Sequence, residues 1–228
     1  MWLSNSSIGR KVVMSVTGLA LILFLTFHMC MNLVALFSAE GYNAICEFLG
    51  ANWYALVATI GLAALFVVHI IYAFWLTIQN RAARGNERYA VNVRPKNVEW
   101  ASQNMLALGV IVILGLVLHF YNFWYNMQFA EIVGAQLGAF KPTEGYQFIE
   151  STFQCPVFFV LYLIWLGALW FHLTHGFWSA LHTLGWNNLT WIDRWQKVSN
   201  IYSTIIILGF ALVAVVFFLK GMGVCPVA

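Results

Sequence analysis

The sequence predicts an all-α integral membrane protein with five transmembrane helices. Of the 228 residues, 62% are hydrophobic and only 8% are charged, whereas a soluble domain carries about 25% charged residues. Five stretches lack any charged side chain, and each exceeds the ~20 residues that a helix needs to cross a bilayer. They cover residues 12–39, 48–80, 100–130, 151–192 and 198–219. None shows the polar face of a soluble helix.

Each stretch is expected to form one helix of a single transmembrane domain, residues 1–228. The predicted spans are residues 12–38, 53–80, 100–127, 155–184 and 198–220. The fourth stretch is long enough for a span and an interfacial tail, and Gly185 is its expected end. The first four spans contain all of the histidines, and the fifth contains none. The six histidines are His28, His69, His119, His172, His175 and His182.

The basic residues predict the orientation, because lysine and arginine favour the cytoplasmic side. Nine of the eleven precede the first span or lie in the second and fourth connections, whereas Lys141 and Lys220 lie on the other side. The N-terminus is therefore expected in the cytoplasm, without a cleavable signal peptide. No basic face suits nucleic acid. The nine are Arg10, Lys11, Arg81, Arg84, Arg88, Arg94, Lys96, Arg194 and Lys197.

One histidine from each of the first four spans falls into one of two layers. At ~1.5 Å per residue, His28 and His119 lie roughly 27–30 Å from the cytoplasmic edge, and His69 and His172 lie about 18–20 Å from it. An ionisable side chain at such depth marks a functional site by default. Paired neutral imidazoles from facing helices can bind both axial positions of a haem iron. The sequence thus predicts two non-covalent b haems, since no Cys-x-x-Cys-His motif is present.

Some assignments stay open at the level of spacing. His175 lies three residues beyond His172 and could replace it as a ligand. Gly115 and Gly176 each share a helix face with a histidine, which would let a porphyrin edge approach the backbone, although membrane helices also use glycine for close packing. Cys46 and Cys155 would both lie outside, so a disulfide between them is an open alternative.

The whole chain resembles the di-haem cytochrome b membrane subunit of succinate:quinone oxidoreductases, a group that includes menaquinol:fumarate reductases. The most specific match is the segment from Phe171 to Trp178, continuing to Gly185 and Trp186. The family pattern there is a ligand histidine, a glycine four residues later and a Gly-Trp-like helix exit, which falls on His172. Residues 7–28 also resemble the family's first helix. The family pairs its first helix with the third and its second with the fourth.

The resemblance implies a membrane anchor and electron-transfer subunit in a bacterial inner membrane. It would exchange electrons between menaquinone and two partners, an iron–sulfur subunit and an FAD-containing flavoprotein that interconverts fumarate and succinate. This chain would perform no dicarboxylate chemistry itself. Fumarate reduction is the favoured direction, while succinate oxidation and a dimer of heterotrimers stay open. Basic residues of 81–96 and 193–197 would form the docking rim.

The resemblance also suggests residues around the haems and the quinone. Glu47, rather than Glu40, would accept the quinol protons, because a carboxylate near the outer haem can act as a base. Some relatives carry a glutamate two residues before the fourth-helix ligand, but this position is Trp170, which indicates electrogenic turnover. The candidate donors to the haem propionates are Ser15, His182, Arg10 and Lys197.

Two other functions were weighed. A cytochrome b that anchors a hydrogenase or formate dehydrogenase would share the electron-transfer role, but it typically carries two ligand histidines on one helix. A transporter with a histidine proton relay needs carboxylates or broken helices at mid-membrane depth. The predicted spans contain no Asp or Glu.

Overall fold

The computed structural model describes residues 6–84, 99–186, 188 and 190–222, and every regular element among them is helical. A 3-10 turn, Val34–Leu36, follows the helix that ends at Leu33. A π-helical segment, Phe120–Phe129, continues the helix that ends at His119. The α-helices in chain order are α1 (Ser7–Leu33), α2 (Ala39–Phe48), α3 (Trp53–Arg84), α4 (Trp100–Gln103), α5 (Met105–His119), α6 (Ala130–Ile132), α7 (Gly145–Gln154), α8 (Pro156–Thr183) and α9 (Trp191–Gly221).

Five helical stretches are long and apolar enough to cross a membrane, so the predicted all-α membrane fold with five spans is confirmed. They are Ser7–Leu36, Trp53–Ala83, Met105–Ile132, Pro156–Thr183 and Trp191–Gly221. The third spanning stretch continues past residue 127, where it was predicted to end. The fifth begins before residue 198, where it was predicted to start. Glu131 and Asp193 therefore lie in spanning helices, but within their terminal turns. The expectation of acid-free spans holds only for the middle of these helices.

Local chemistry explains where several helices begin and end. The Ser6 hydroxyl accepts a hydrogen bond from the Gly9 amide at 2.9 Å and caps α1, and Ser38 caps α2 in the same way. Pro156 occupies the first turn of α8, where its missing amide hydrogen costs no helical hydrogen bond. Gly185 ends α8 as predicted, with a φ of 88° that favours glycine.

Four of the spanning helices surround a common interior. α1 packs against α3 and α8, and α5 packs against α8 and, over a short length, α3. Consequently α1 faces α5 across the bundle, and α3 faces α8. α9 lies outside this group and packs mainly on α8, with a further contact to α1.

The two ends of the bundle differ in chemistry. We call one the basic end, because α1 begins there with Arg10 and Lys11 and α3 reaches it with Arg81. Arg10 lies 5.2 Å above the ring of Trp75 and connects α1 to α3. We call the other the capped end, because α2 and α7 cover it. There the Asn43 side-chain carbonyl accepts from the Tyr146 amide at 2.9 Å.

Candidate functional site: two histidine pairs

The first pair joins α1 and α5 in the half of the bundle nearer the capped end. The rings of His28 and His119 are 5.8 Å apart between centroids and nearly perpendicular, at 87°. Phe24 stacks on His28 at 5.4 Å, and Trp165 lies 5.7 Å from His119. The structure thus brings together the two histidines that the depth estimate placed in the outer layer.

The second pair joins α3 and α8 in the half nearer the basic end. His69 lies on α3 and His172 on α8, the helix diagonally opposite. A Cβ at Gly18 would stand 3.2 Å from the Cε1 atom of His69, and one at Gly109 would stand 4.0 Å from that of His172. Both imidazoles therefore project into the bundle, against the backbones of α1 and α5. Neither glycine was among those expected to flank a porphyrin.

The four imidazoles differ in their hydrogen bonds. His69 Nδ1 lies 3.0 Å from the Thr17 hydroxyl. His28 Nε2 lies 3.5 Å from the Asn32 amide nitrogen, at the outer limit of a hydrogen bond. The Nδ1 atoms of His119 and His172 are buried and have no hydrogen-bond partner in the described part of the chain. Such atoms are rare in folded proteins and call for an explanation.

These residues fit the axial ligation of haem. A metal between two imidazole nitrogens separates them by about 4 Å, and the rings of His28 and His119 stand 5.8 Å apart between centroids. Each diagonal pair supplies two ligands, the number that a porphyrin-bound iron still needs. Residues 6–84, 99–186, 188 and 190–222 contain no cluster of three His, Cys, Asp or Glu side chains that could hold a bare ion.

The glycines that were expected to flank a porphyrin behave differently from each other. No atom outside its own helical surroundings lies within 4 Å of a Cβ built at Gly176, so the α8 backbone is accessible there. At Gly115, a Cβ would lie 2.0 Å from Trp165 Cδ1. The indole Nε1 of Trp165 donates to the Val112 carbonyl at 3.0 Å and holds the ring there. Gly115 therefore accommodates Trp165, which favours the close-packing alternative for this glycine.

The surroundings of His175 favour His172 as the inward-facing residue. His175 Nδ1 lies 3.1 Å from the Glu99 carboxylate, which also accepts from Trp178 Nε1 at 3.3 Å. This cluster connects α8 to the start of α4. His182 is exposed near the basic end of α8.

The remaining propionate candidates also lie in the basic half. Ser15 is buried, with 6% of its surface exposed, and lies two residues before Thr17 on α1. Lys197 is exposed on α9, and Arg10 rests on Trp75. Of these side chains, Ser15 alone is buried at the level of the second pair. Arg88, Arg94 and Lys96 of the expected docking rim lie outside the described residues.

The capped end carries the carboxylates. Glu47 and Glu40 are both exposed on α2. Glu131, which the sequence analysis missed, lies against Gly50, where a Cβ would stand 2.1 Å from its carboxylate oxygen. Nearby, the Gln128 side-chain amide donates to the Gly50 carbonyl at 3.0 Å. These contacts hold the connection between α2 and α3 against the third spanning stretch.

A cavity of about 190 Å³ also lies at the capped end, between the π-helical segment, α7 and the start of α8. Its wall includes Asn122, whose amide donates to the Tyr162 hydroxyl at 3.4 Å. The Tyr162 ring in turn lies 6.3 Å from His119. Aromatic rings and amide groups line the rest, from residues Asn126, Phe140, Phe148 and Phe158. The π-helix begins directly after His119, and such segments often accompany functional sites.

Two further positions clarify the sequence analysis. Cys46 and Cys155 are free thiols, so they form no disulfide; Cys225 lies outside the described residues. Trp170 donates from Nε1 to the Thr204 hydroxyl at 2.9 Å and connects α8 to α9. Position 170 therefore carries no acid, and the indole nitrogen of Trp170 is engaged in a contact between two helices.

No protein-family model, curated protein or solved structure matches this chain.

Proposed function

We propose that this chain is the di-haem electron-transfer subunit of a quinone-linked fumarate reductase, with succinate dehydrogenase as the alternative direction. The observation that supports it most is the convergence of four histidines from four spanning helices into two diagonal pairs. Buried imidazoles in a membrane are costly, and two pairs at two depths have a common explanation in two bis-histidine haems. His28 and His119 would bind the outer haem, and His69 and His172 the inner one.

When bound, each haem supplies a one-electron carrier whose iron changes valence without a change of ligands. The residues of the chain set the conditions for that transfer. The four imidazoles would hold the two carriers at two depths, and the apolar side chains around them would exclude water. Ser15, buried on α1 two residues before Thr17, would donate a hydrogen bond to a propionate, while Arg10, His182 and Lys197 would provide polar or charged groups nearer the surface.

We place the quinone at the capped end, near the outer pair. A quinone presents a flat ring and two carbonyl acceptors, and the open cavity beside Asn122, of about 190 Å³, offers aromatic walls and polar side chains for it. Glu47 is exposed on the same end and would receive the released protons. Glu131 is a second carboxylate there.

The partner proteins would dock at the basic end. The four cysteines of the sequence lack the spacing of a motif for an iron–sulfur cluster. An iron–sulfur subunit and an FAD-containing flavoprotein would therefore complete the pathway. Arg81, Arg194 and Lys197 are charged side chains available for such a contact. With the positive bias, this end would lie in the bacterial cytoplasm.

The alternatives find less support. An anchor with two ligand histidines on one helix would require His175 or His182, but His175 is hydrogen-bonded to Glu99 and His182 is exposed. A proton-relay transporter needs acids beside the buried histidines. Among the described residues, the acids of the spanning helices occur in terminal turns, at Glu131 and Asp193.

The proposal is tested on the complex purified from its native membrane. Under anaerobic conditions, a naphthoquinol should reduce b-type haems, and fumarate should reoxidise them while the soluble subunits remain attached. Removal of those subunits should abolish the response to fumarate and preserve reduction by the quinol. A preparation that shows no b-type absorption, or haems that quinol never reduces, would refute it.

A further inference from the structure

Thr17 on α1 contacts His69 on α3 through a hydrogen bond whose donor depends on the tautomer of the imidazole. The Thr17 Oγ1 atom lies 3.0 Å from His69 Nδ1 and also 2.9 Å from the Val13 carbonyl oxygen. The Met14 carbonyl is a second acceptor at 3.1 Å. A hydroxyl has a single hydrogen to donate and two lone pairs that accept.

The backbone of α1 takes the hydroxyl hydrogen. A threonine inside a helix commonly donates to the carbonyl one turn earlier, and Val13 and Met14 occupy that turn. Thr17 Oγ1 is then left with lone pairs toward His69, which favours the tautomer in which His69 Nδ1 carries the hydrogen and donates it. Neutral imidazole has only one N–H, and the Nε2 lone pair of His69 is consequently free to bind a metal.

Gly18 completes this contact. Its missing side chain lets the edge of the His69 ring approach α1, because a Cβ would stand 3.2 Å from Cε1, closer than most such contacts. Two other histidines of the pairs differ from His69. His119 and His172 each have a buried Nδ1 atom without a hydrogen-bond partner in the described chain. His69 is therefore held by a hydroxyl acceptor that these two histidines lack.

We propose that Thr17 is a positioning residue that fixes the tautomer of His69 and lowers the reduction potential of the inner haem. The inference rests on the proposed function, because it requires His69 to be a haem ligand. A hydrogen bond from the far nitrogen of a ligating histidine orients the ring and raises its basicity. A more basic ligand stabilises ferric iron more than ferrous iron.

The test compares three variants of the purified holoprotein by potentiometric titration. Thr17→Val keeps the shape and removes the acceptor, whereas Thr17→Ser keeps the hydroxyl. Thr77→Val is the matched control, because Thr77 makes the same bond to the carbonyl one turn earlier, at 2.8 Å, on the helix of His69. Absorption spectra establish that both haems remain six-coordinate.

We expect Thr17→Val to reduce the stabilisation of ferric over ferrous iron in the inner haem by roughly tenfold. This is the lower end of the effects measured for hydrogen-bond partners of metal-ligating histidines. This corresponds to a potential about 59 mV higher for one electron. Thr17→Ser and Thr77→Val should keep the original potential, and the outer haem should not change in any variant. An unchanged potential in Thr17→Val, or an equal shift in Thr17→Ser, refutes the inference alone. A protein without haem overturns both this inference and the proposed function.

Discussion

The choice between His172 and His175 gives the most discriminating mutational prediction. Replacing His172 with alanine removes one of the two imidazoles of the inner pair, so the haem content should fall from two per chain to one. The outer pair belongs to α1 and α5 and should keep its haem. The low-spin spectrum of that remaining haem should be unchanged, since neither His28 nor His119 has been altered.

Replacing His175 with alanine should have a small effect. Its contact with Glu99 is 3.1 Å long, but the carboxylate side is 39% exposed. A pair of this kind contributes about 0.5–1 kcal/mol to stability. Both haems should therefore remain bound and six-coordinate, and the thermal midpoint should fall only slightly.

The assay combines haem content with redox spectra of the two variants purified in parallel. Thr183→Ala serves as the matched control, because Thr183 lies on the same helix and its hydroxyl donates to the backbone carbonyl of Ser179 at 2.9 Å. Loss of the inner haem in His175→Ala, with retention in His172→Ala, would show that the assigned register of α8 is wrong.

Three further variants or reactions test other parts of the account. Glu47→Gln keeps the size and removes the base, so quinol-linked electron transfer should stop while both haems remain and artificial donors still support fumarate reduction; normal quinol turnover would place the acceptor elsewhere. Gly115→Ala forces Trp165 to move, since the new Cβ would stand 2.0 Å from its ring. Overpacking of this kind costs about 1–3 kcal/mol of stability. The expected result is a lower occupancy of the outer haem, measured as haem content. Burial raises the pKa of the Cys46 thiol to about 11, despite the opposing hydrogen bond with Tyr42. At pH 8 it should react with maleimide roughly a hundredfold more slowly than a thiol of pKa 9.0, because thiolate falls tenfold per pKa unit, and rapid labelling would contradict that burial.

Much of the fold follows from hydropathy, because a bilayer forces each apolar stretch of sufficient length into a helix. The pairing of His28 with His119 also followed from simple depth, since rise per residue is constant in an α-helix. The bounds were less accurate where helices continue past the apolar stretch. The third span reaches Ile132 through a π-helical segment, which has no simple sequence pattern, and Glu131 was missed for that reason.

Contacts between distant elements could not be predicted from sequence periodicity. The packing of Trp165 on Gly115 depends on how α8 meets α5, and the bond from His69 to Thr17 depends on how α3 meets α1. The covering of one bundle end by α2 and α7 likewise joins two connections far apart in the chain. Each of these depends on the rotation of a helix about its axis, which packing against neighbouring helices determines.

The central claim, that four buried histidines bind two b haems, is tested most directly by a pyridine haemochrome assay on the purified chain. Haem and polypeptide are quantified in the same sample, and the haem is extracted with acidified solvent to establish that it is not covalently attached. The account predicts two extractable b haems per polypeptide. One haem per chain, or none, would contradict it.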